Sequence, residues 1–87
     1  MLPIYNHKNF KKQFKRLPKK IQNKFGEKLE IFLTDSYSIE LNNHSLSGKW
    51  SEYRSIDITG DIRAIYKIEN NCYHFRAIGT HNQLYSK

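Results

Sequence analysis

Residues 50–78 of this 87-residue chain, WSEYRSIDITGDIRAIYKIENNCYHFRAI, carry a clear pattern of β-strands and turns. Apolar and polar side chains alternate along much of this stretch, which is the period of two expected of strands. Thr59-Gly60 and Asn70-Asn71 interrupt the alternation with residue types that favour tight turns. The stretch therefore predicts an antiparallel meander of three strands, over residues 50–58, 62–69 and 72–78. In the first strand one face carries Arg54, Ile56 and Ile58, and the other carries Tyr53, Ser55 and Asp57.

The residues before this meander predict a short strand, over residues 2–5, and a helical hairpin. Phe10, Phe14 and Leu17 recur at i, i+4 and i+7, which places them on one face of a helix. Pro18 ends that run and suits the first turn of a second helix. The second helix has its own apolar stripe, formed by Ile21, Phe25, Leu29 and Phe32. All 87 residues are thus expected to form one α+β domain with the layout β-α-α-β-β-β, an antiparallel sheet covered by an N-terminal helical hairpin.

Positive charge is concentrated at the N-terminal end of the chain. Fifteen Lys and Arg against eight Asp and Glu give a net charge of +7, and nine of the fifteen precede residue 29. Such a surface favours a polyanionic partner, since each neutralised phosphate releases condensed counterions. Nucleic acid is the leading interpretation, ahead of an acidic protein or an anionic membrane. The candidate phosphate contacts on the helices are Lys11, Lys12, Lys15 and Lys19.

Cysteine content and hydropathy exclude several classes of protein. Cys72 is the only cysteine, so the chain has no intramolecular disulfide and no spacing typical of a zinc site. No cofactor or metal is expected. The N-terminus lacks the apolar stretch of a signal peptide, and no window is long and apolar enough to span a membrane. We therefore expect a protein of the reducing cytoplasm without a membrane partner.

Two histidines and one aspartate form the candidate catalytic set. His44 precedes the meander, Asp61 follows its first turn, and His81 comes directly after its last strand. Imidazole titrates at about 6.5 when unperturbed, so one ring can accept a proton while another donates one near neutral pH. Because neighbouring strands of a meander share sheet ends, Asp61 is expected to approach His81. The set is suited to acid/base cleavage of RNA.

Cations and an aromatic ring complete this candidate site. Arg54, Arg63 and Arg76 are candidates for stabilising the crowded phosphate of a cleavage reaction. Tyr85 lies close to His81 in sequence, and stacking of its ring on a base would contribute about 1–3 kcal/mol. Each residue also has an ordinary structural interpretation: His44 as a loop cap, Asp61 as a turn residue, and His81 as a surface histidine.

The motifs of the second half resemble those of a known family. They are His44-x-Leu46-x-Gly48-x-Trp50, Tyr53-Arg54-Ser-Ile56, Gly60-Asp61-Ile-Arg-Ala-Ile-Tyr66 and Gly79-Thr80-His81-Asn-Gln-Leu84-Tyr85. In this order and spacing they resemble the RelE/ParE toxin superfamily, and most of all its YafQ-type branch. The similarity extends over nearly the whole chain, including the basic helical hairpin.

The resemblance implies a function, a fold and partners. Members of the branch are toxins of bacterial type II toxin-antitoxin pairs that cut mRNA in the A site of the 70S ribosome. His44, Asp61 and His81 match catalytic family residues, and Tyr85 matches an aromatic family position near the substrate. The resemblance also implies the β-α-α-β-β-β fold and a cognate antitoxin that neutralises the basic surface.

The chain departs from the family pattern on one strand. The best-known branch members have an aspartate and a histidine where this chain has Ser55 and Asp57. The carboxyl group of Asp57, with a reference pKa of about 3.9, replaces an imidazole, so the assignment of general base and general acid stays open. Two alternatives to an mRNA-cleaving toxin therefore remain, a ParE-like toxin that inhibits gyrase and a non-catalytic member that binds RNA or the ribosome.

Overall fold

A five-stranded sheet and three α-helices make up the computed structural model, which describes residues 2–85. The strands are β1 (Ile4–Asn6), β2 (His44–Ser45), β3 (Arg54–Asp57), β4 (Ile62–Glu69) and β5 (Cys72–Thr80). The helices are α1 (Lys8–Lys15), α2 (Lys19–Thr34) and α3 (His81–Tyr85), and short 3₁₀ turns lie at Ile39–Leu41 and Gly48–Trp50. No helix within residues 2–85 is both long and apolar enough to cross a membrane.

The sheet has the strand order β1-β5-β4-β3-β2. β3, β4 and β5 form the antiparallel meander that the alternation predicts, and β2 adds an antiparallel edge strand. β1 pairs with β5 in parallel, so the sheet is mixed rather than wholly antiparallel. The α+β layout with a sheet under an N-terminal helical hairpin is confirmed.

Three segments differ from the sequence-based expectation. The predicted strand over residues 50–58 begins only at Arg54, because residues 48–53 turn and the N–H of Tyr53 donates to the Trp50 carbonyl at 2.8 Å. The loop predicted at His44 contains the short strand β2. The tail predicted after the last strand is the helix α3.

The main core lies between the helical hairpin and one face of the sheet. Both predicted helical stripes contribute buried residues, since Phe10, Phe25 and Phe32 pack against Phe75 of β5. The ring of Phe32 also meets that of Tyr66 edge-on, with centroids 4.9 Å apart. Aromatic pairs in such arrangements add about 0.5–1.5 kcal/mol to the energy of burial, so this face supplies much of the stability.

A smaller apolar cluster lies on the opposite face of the sheet. Its buried members are Ile65, Ala77 and Leu84, with Leu46, Trp50, Tyr53 and Tyr85 packed around them. The indole N–H of Trp50 donates to the Leu84 carbonyl at 3.1 Å. This contact joins the segment 46–53 to α3 and fixes both over this face, which the helical hairpin does not cover and which we call the open face of the sheet.

Candidate active site

A cleft of about 400 Å³ on the open face of the sheet brings four predicted site residues together. They are His44 from β2, Arg63 from β4, and His81 and Tyr85 from α3. The remaining lining residues are Asn42, Leu46 and Ser47. Residues far apart in the sequence thus meet at one end of the sheet, in a space large enough for part of a nucleotide substrate.

His44 is held in one tautomer by the backbone beside it. β2 pairs with β3 through His44 and Ser55, and Asn42 precedes the strand with a left-handed backbone, φ 47°. The Nδ1 atom of His44 lies 2.8 Å from the Asn42 carbonyl oxygen. A carbonyl oxygen only accepts, so Nδ1 carries the hydrogen in this contact. The Nε2 atom of the neutral ring therefore keeps a lone pair that can accept a proton.

A capping box at the end of β5 positions His81. The Thr80 hydroxyl accepts from the N–H of Gln83 at 3.1 Å, and the Gln83 side-chain oxygen accepts from the N–H of Thr80 at 2.8 Å. Such reciprocal pairs define a helix start. A Cβ atom at Gly79 would lie 2.6 Å from that Gln83 oxygen, so a larger residue there would displace the Gln83 side chain from this position. The motif Gly79-Thr80-His81-x-Gln83 thus sets His81 as the first residue of α3.

Tyr85 lies one helical turn after His81 and packs against it. The two ring centroids are 4.6 Å apart and the planes are tilted by 59°. The hydroxyl oxygen of Tyr85 is buried and has no hydrogen-bond partner among residues 2–85. The ring therefore supports the exposed imidazole of His81.

Arg63 reaches the cleft next to an acidic partner on the neighbouring strand. Its Nε atom lies 3.4 Å from Oδ1 of Asp57, the residue opposite it in the β3–β4 register. That oxygen is buried without a hydrogen bond, so the contact is an ion pair by distance alone. The other carboxylate oxygen accepts from Asn42 Nδ2 at 3.4 Å. Ser55, the second departure from the family pattern, is fully buried.

Asp61 lies at the same end of the sheet but does not line the cleft. Ile62 pairs with Thr80 in the β4–β5 register. Asp61 directly precedes Ile62 and His81 directly follows Thr80, so both lie one residue beyond this pair. Its backbone N–H donates to the Thr59 hydroxyl at 3.2 Å, which stabilises the turn. The exposed side chain is therefore near the exit of β5, as the meander predicts.

Arg54 lies outside the cleft, on the helix-covered face. Its Nε donates to the Asn43 side chain at 2.8 Å, and its guanidinium lies 5.3 Å from the centre of the Tyr37 ring. Asn43 in turn donates to the buried Tyr66 hydroxyl at 2.8 Å. Burial raises the pKa of Tyr66, while Asn43 and Arg54 lower it in part. These contacts tie the segment before β2 to the sheet.

The other predicted cations lie apart from the cleft. Arg76 lines a second cleft beside α3. Lys11 and Lys15 flank an apolar groove between α1 and α2 that includes the rings of Phe10, Phe14 and Phe25. Lys12 and Lys19 are exposed on the same two helices. The basic helical surface and the cleft with the histidines are thus two separate features.

Sequence reasoning missed two residues that shape the site, Asn42 and Gln83. Gln83 was detectable, because Thr80-x-x-Gln83 is a capping-box pattern that marks a helix start. Asn42 had only a weak signal, the tolerance of asparagine for left-handed backbone.

Comparison with known families gives one match over most of the chain. The model of a family described as the bacterial toxin of the type II toxin-antitoxin system, YafQ, matches residues 2–86. None of the curated protein sequences compared with this chain matches it.

Comparison with solved structures gives the same fold. YafQ from E. coli is 22% identical with a TM-score of 0.82, and the match covers 99% of this chain and 100% of that one. A DinJ-YafQ complex from E. coli gives 23% identity and a TM-score of 0.81 over 99% and 100% of the two chains. A YoeB/ParE toxin from Agrobacterium tumefaciens gives 13% identity and a TM-score of 0.77 over 92% and 99%.

Proposed function

Because this chain belongs to the YafQ family of bacterial type II toxins, we propose that it is an endoribonuclease that cuts mRNA in the ribosomal A site and so stops translation. The observation that carries the proposal is the cleft lined by His44, His81 and Arg63. Two imidazoles and a guanidinium supply the base, the acid and the cation that RNA cleavage by acid/base catalysis requires.

In the proposed reaction His44 is the general base. Its Nδ1–H is engaged by the Asn42 carbonyl, so Nε2 of the neutral ring takes the proton of the ribose 2′-hydroxyl. The 2′-oxygen attacks phosphorus, and a new P–O bond forms as the bond to the 5′-oxygen breaks. Positioning these groups in one cleft reduces the entropic part of the barrier.

His81 is the general acid of this reaction. Its imidazolium gives a proton to the departing 5′-oxygen, so the products are a 2′,3′-cyclic phosphate and a free 5′-hydroxyl. The ring of Tyr85 supports the imidazole from one side. Asp61, exposed near the exit of β5, is the carboxylate of the proposed catalytic set.

Arg63 is the phosphate ligand, and Asp57 is its positioning residue. The ion pair joins Nε of Arg63 to Asp57, and in this proposal the two terminal nitrogens donate to the phosphate oxygens. Asp57 is fixed in turn by Asn42, the residue whose carbonyl holds His44. Asp57 stands where the family has a histidine. In this proposal it positions Arg63 and does not act as a second base.

Primer-extension mapping tests the proposed activity. A defined mRNA is incubated with the purified protein, with and without translating ribosomes, and the cuts are compared for wild type, His81→Ala and the neighbouring control Asn82→Ala. We expect cuts in register with codons, only with ribosomes, that His81→Ala reduces by roughly 10²–10⁴-fold and Asn82→Ala retains. Full activity of a folded His81→Ala variant contradicts the proposal.

The mapping also separates the other candidate functions. Cuts in both reactions would identify a ribonuclease independent of the ribosome. RNA binding without cuts would identify a non-catalytic member, the function that the carboxyl group at Asp57 favours. If the protein neither cuts nor binds RNA but induces a DNA-damage response in cells, it would be identified as a ParE-like gyrase inhibitor.

We also propose a cognate antitoxin as a protein partner. E. coli YafQ has been solved in complex with DinJ, and nine basic residues in the first 28 of this chain would attract an acidic segment. Co-purification of a tagged toxin with its operon neighbour tests this, and higher salt is expected to weaken the complex. Recovery of the toxin without a partner would contradict it.

A further inference from the structure

A second cleft, of about 440 Å³, lies beside the candidate active site. Its walls carry two cations and two aromatic rings, from Lys49, Arg76, Trp50 and Tyr53. The proposed reaction uses none of these residues, although the combination of cations and aromatic rings is typical of single-stranded nucleic-acid binding.

The two clefts are built from the same two segments. The segment 46–53 gives Leu46 and Ser47 to the first cleft and Lys49, Trp50 and Tyr53 to the second. The helix α3 gives His81 and Tyr85 to the first and Gln83 and Leu84 to the second. Members of the smaller apolar cluster line both clefts, Leu46 and Tyr85 the first and Trp50, Tyr53 and Leu84 the second. A single-stranded RNA that leaves the first cleft across α3 therefore reaches the second cleft.

Both cations of the second cleft are free to bind an anion. Ile65 pairs with Ala77 and Tyr66 with Phe75, so Arg76 is the extra residue of a β-bulge, a feature that often re-aims a side chain. Within residues 2–85 neither Lys49 nor Arg76 forms an ion pair, whereas the nearby Lys67 pairs with Glu69 at 3.5 Å. Two unneutralised cations in a concave site suit a phosphodiester.

The aromatic rings of the second cleft are held in place before any ligand binds. The indole N–H of Trp50 is engaged by the Leu84 carbonyl, and the Trp50 and Tyr53 rings meet edge-on with centroids 5.3 Å apart. Lysine side chains already approach the two rings, Lys49 at 5.5 Å and Lys67 at 5.2 Å. Fixed rings beside cations offer a stacking surface for a base at little entropic cost.

We propose that the second cleft binds the mRNA nucleotides that follow the cleaved codon, with phosphate on Lys49 and Arg76 and a base against the Trp50–Tyr53 pair. The inference rests on the proposed function. The codon before the A site is paired with tRNA, so the 3′ flank is the single strand that is free to enter.

Two mRNAs on otherwise identical programmed ribosomes test the proposal. One ends at the last nucleotide of the A-site codon, and the other continues for six nucleotides. The toxin variants are Lys49→Ala combined with Arg76→Gln, and a control with the same loss of charge on α2, Lys20→Ala combined with Lys28→Ala. Single-turnover cleavage gives the maximal rate and the half-saturating toxin concentration.

We expect the cleft variant to raise the half-saturating concentration roughly tenfold on the extended mRNA, as for loss of about 1.4 kcal/mol of binding, and to leave it unchanged on the truncated one. The maximal rate stays the same. The control variant should change the half-saturating concentration by the same factor on both mRNAs. Tyr53→Leu gives the same selective loss, while Tyr53→Phe, which retains the ring, does not. Thermal unfolding confirms that each variant is folded.

Other outcomes overturn the inference. An equal loss on both mRNAs would mean that the cleft contacts the ribosome, and no loss on either would mean that it binds no RNA. If antitoxin neutralisation alone is lost, the cleft is a protein-binding surface. If the wild type cuts neither mRNA, the proposed function fails, and fluorescence anisotropy with a labelled hexaribonucleotide then tests the cleft. Equal affinity of wild type and cleft variant for that probe overturns it.

Discussion

The helix-covered face of the sheet and its open face arise from the same strands but hold different side chains. The covered face is lined by aromatic rings and isoleucines under α1 and α2. The open face carries a small apolar cluster, two clefts and the candidate catalytic groups. The main core and the candidate catalytic groups therefore lie on opposite faces of one sheet.

Strand alternation makes this separation possible within a few residues. Ile56 is buried in the main core, while the next residue, Asp57, supports Arg63 on the open face. Likewise Ile62 is in the core, and Arg63 lines the first cleft. Substitutions at adjacent positions should therefore have effects of different kinds.

The largest expected effect on stability comes from the covered face. Phe32 is 1% exposed and contacts the rings of Tyr66, Tyr73 and Phe75. Phe32→Ala should lower the free energy of unfolding by about 3–5 kcal/mol, as measured by urea denaturation. His44→Ala, on the open face, should change it by no more than about 0.5 kcal/mol. Equal losses of unfolding free energy in the two variants would show that the open face contributes as much to stability as the covered face.

A smaller effect, on activity, should come from the ion pair of the open face. Asp57→Asn leaves Arg63 without its charged partner and should raise the half-saturating toxin concentration on programmed ribosomes roughly tenfold, which is about 1.4 kcal/mol. The free energy of unfolding should change by about 1 kcal/mol or less. Unchanged cleavage by Asp57→Asn together with full loss in Arg63→Gln would show that Arg63 needs no positioning.

Gly26 offers a gain in stability on the helical side. It lies in the interior of α2, and a Cβ atom built there meets nothing within 4 Å. Gly26→Ala should therefore stabilise the protein by about 1 kcal/mol, since glycine is a poor helix former. The expected rise in melting temperature is about 4–8 °C, with cleavage unaltered. A fall in melting temperature would indicate a packing role for the glycine.

The smallest effect concerns pH and the junction of β1 with α1. His7 caps α1 by accepting the N–H of Asn9 at Nδ1, 3.0 Å away. Partial burial, Arg76 and Lys8 lower the pKa of His7 below its usual 6.5. The folded state thus binds fewer protons, and the contribution of His7 is complete above pH 6.5 and is lost as the pH falls below it.

The measurement is the melting temperature of wild type and His7→Ser between pH 8 and pH 5. Serine supplies a hydroxyl oxygen as the capping acceptor in place of Nδ1 and does not titrate, so the variant should lose less stability in acid than the wild type. An identical fall in both proteins would show that other groups cause the acid sensitivity.

Much of the fold could be predicted because its signals are periodic. Residues 62–69 were predicted as a strand and form β4, and the helical stripes ending at Leu17 and Phe32 do face the core. The two-residue strand β2 is too short to show a period, so the sequence offered only a loop. The helix α3 has only five residues, too few to show a helical period. Its capping pattern, Thr80-x-x-Gln83, was the signal that could have predicted it.

The parts of the candidate site that depend on strand register and alternation could be predicted from the sequence. The hairpin turn at Thr59-Gly60 already sets Asp57 opposite Arg63, and alternation already groups Arg54 with Ile56 and Ile58. Because Arg54 shares a face with Ile56 and Ile58, this alternation would have excluded it from a site on the face of Asp57. The path of residues 42–53 depends instead on single backbone angles, such as the φ of 66° at Gly48. The clefts that this segment lines could therefore not be drawn from the sequence.

The parallel pairing of β1 with β5 sets an order of events during synthesis. The first strand of the chain has no partner until Cys72–Thr80 has been made, and closing so long a loop is slow compared with forming the helices. His81 and Tyr85 follow that strand, so the cleft is completed only after the sheet. The helical hairpin, which forms from contacts local in sequence, can therefore fold before the candidate cleft exists.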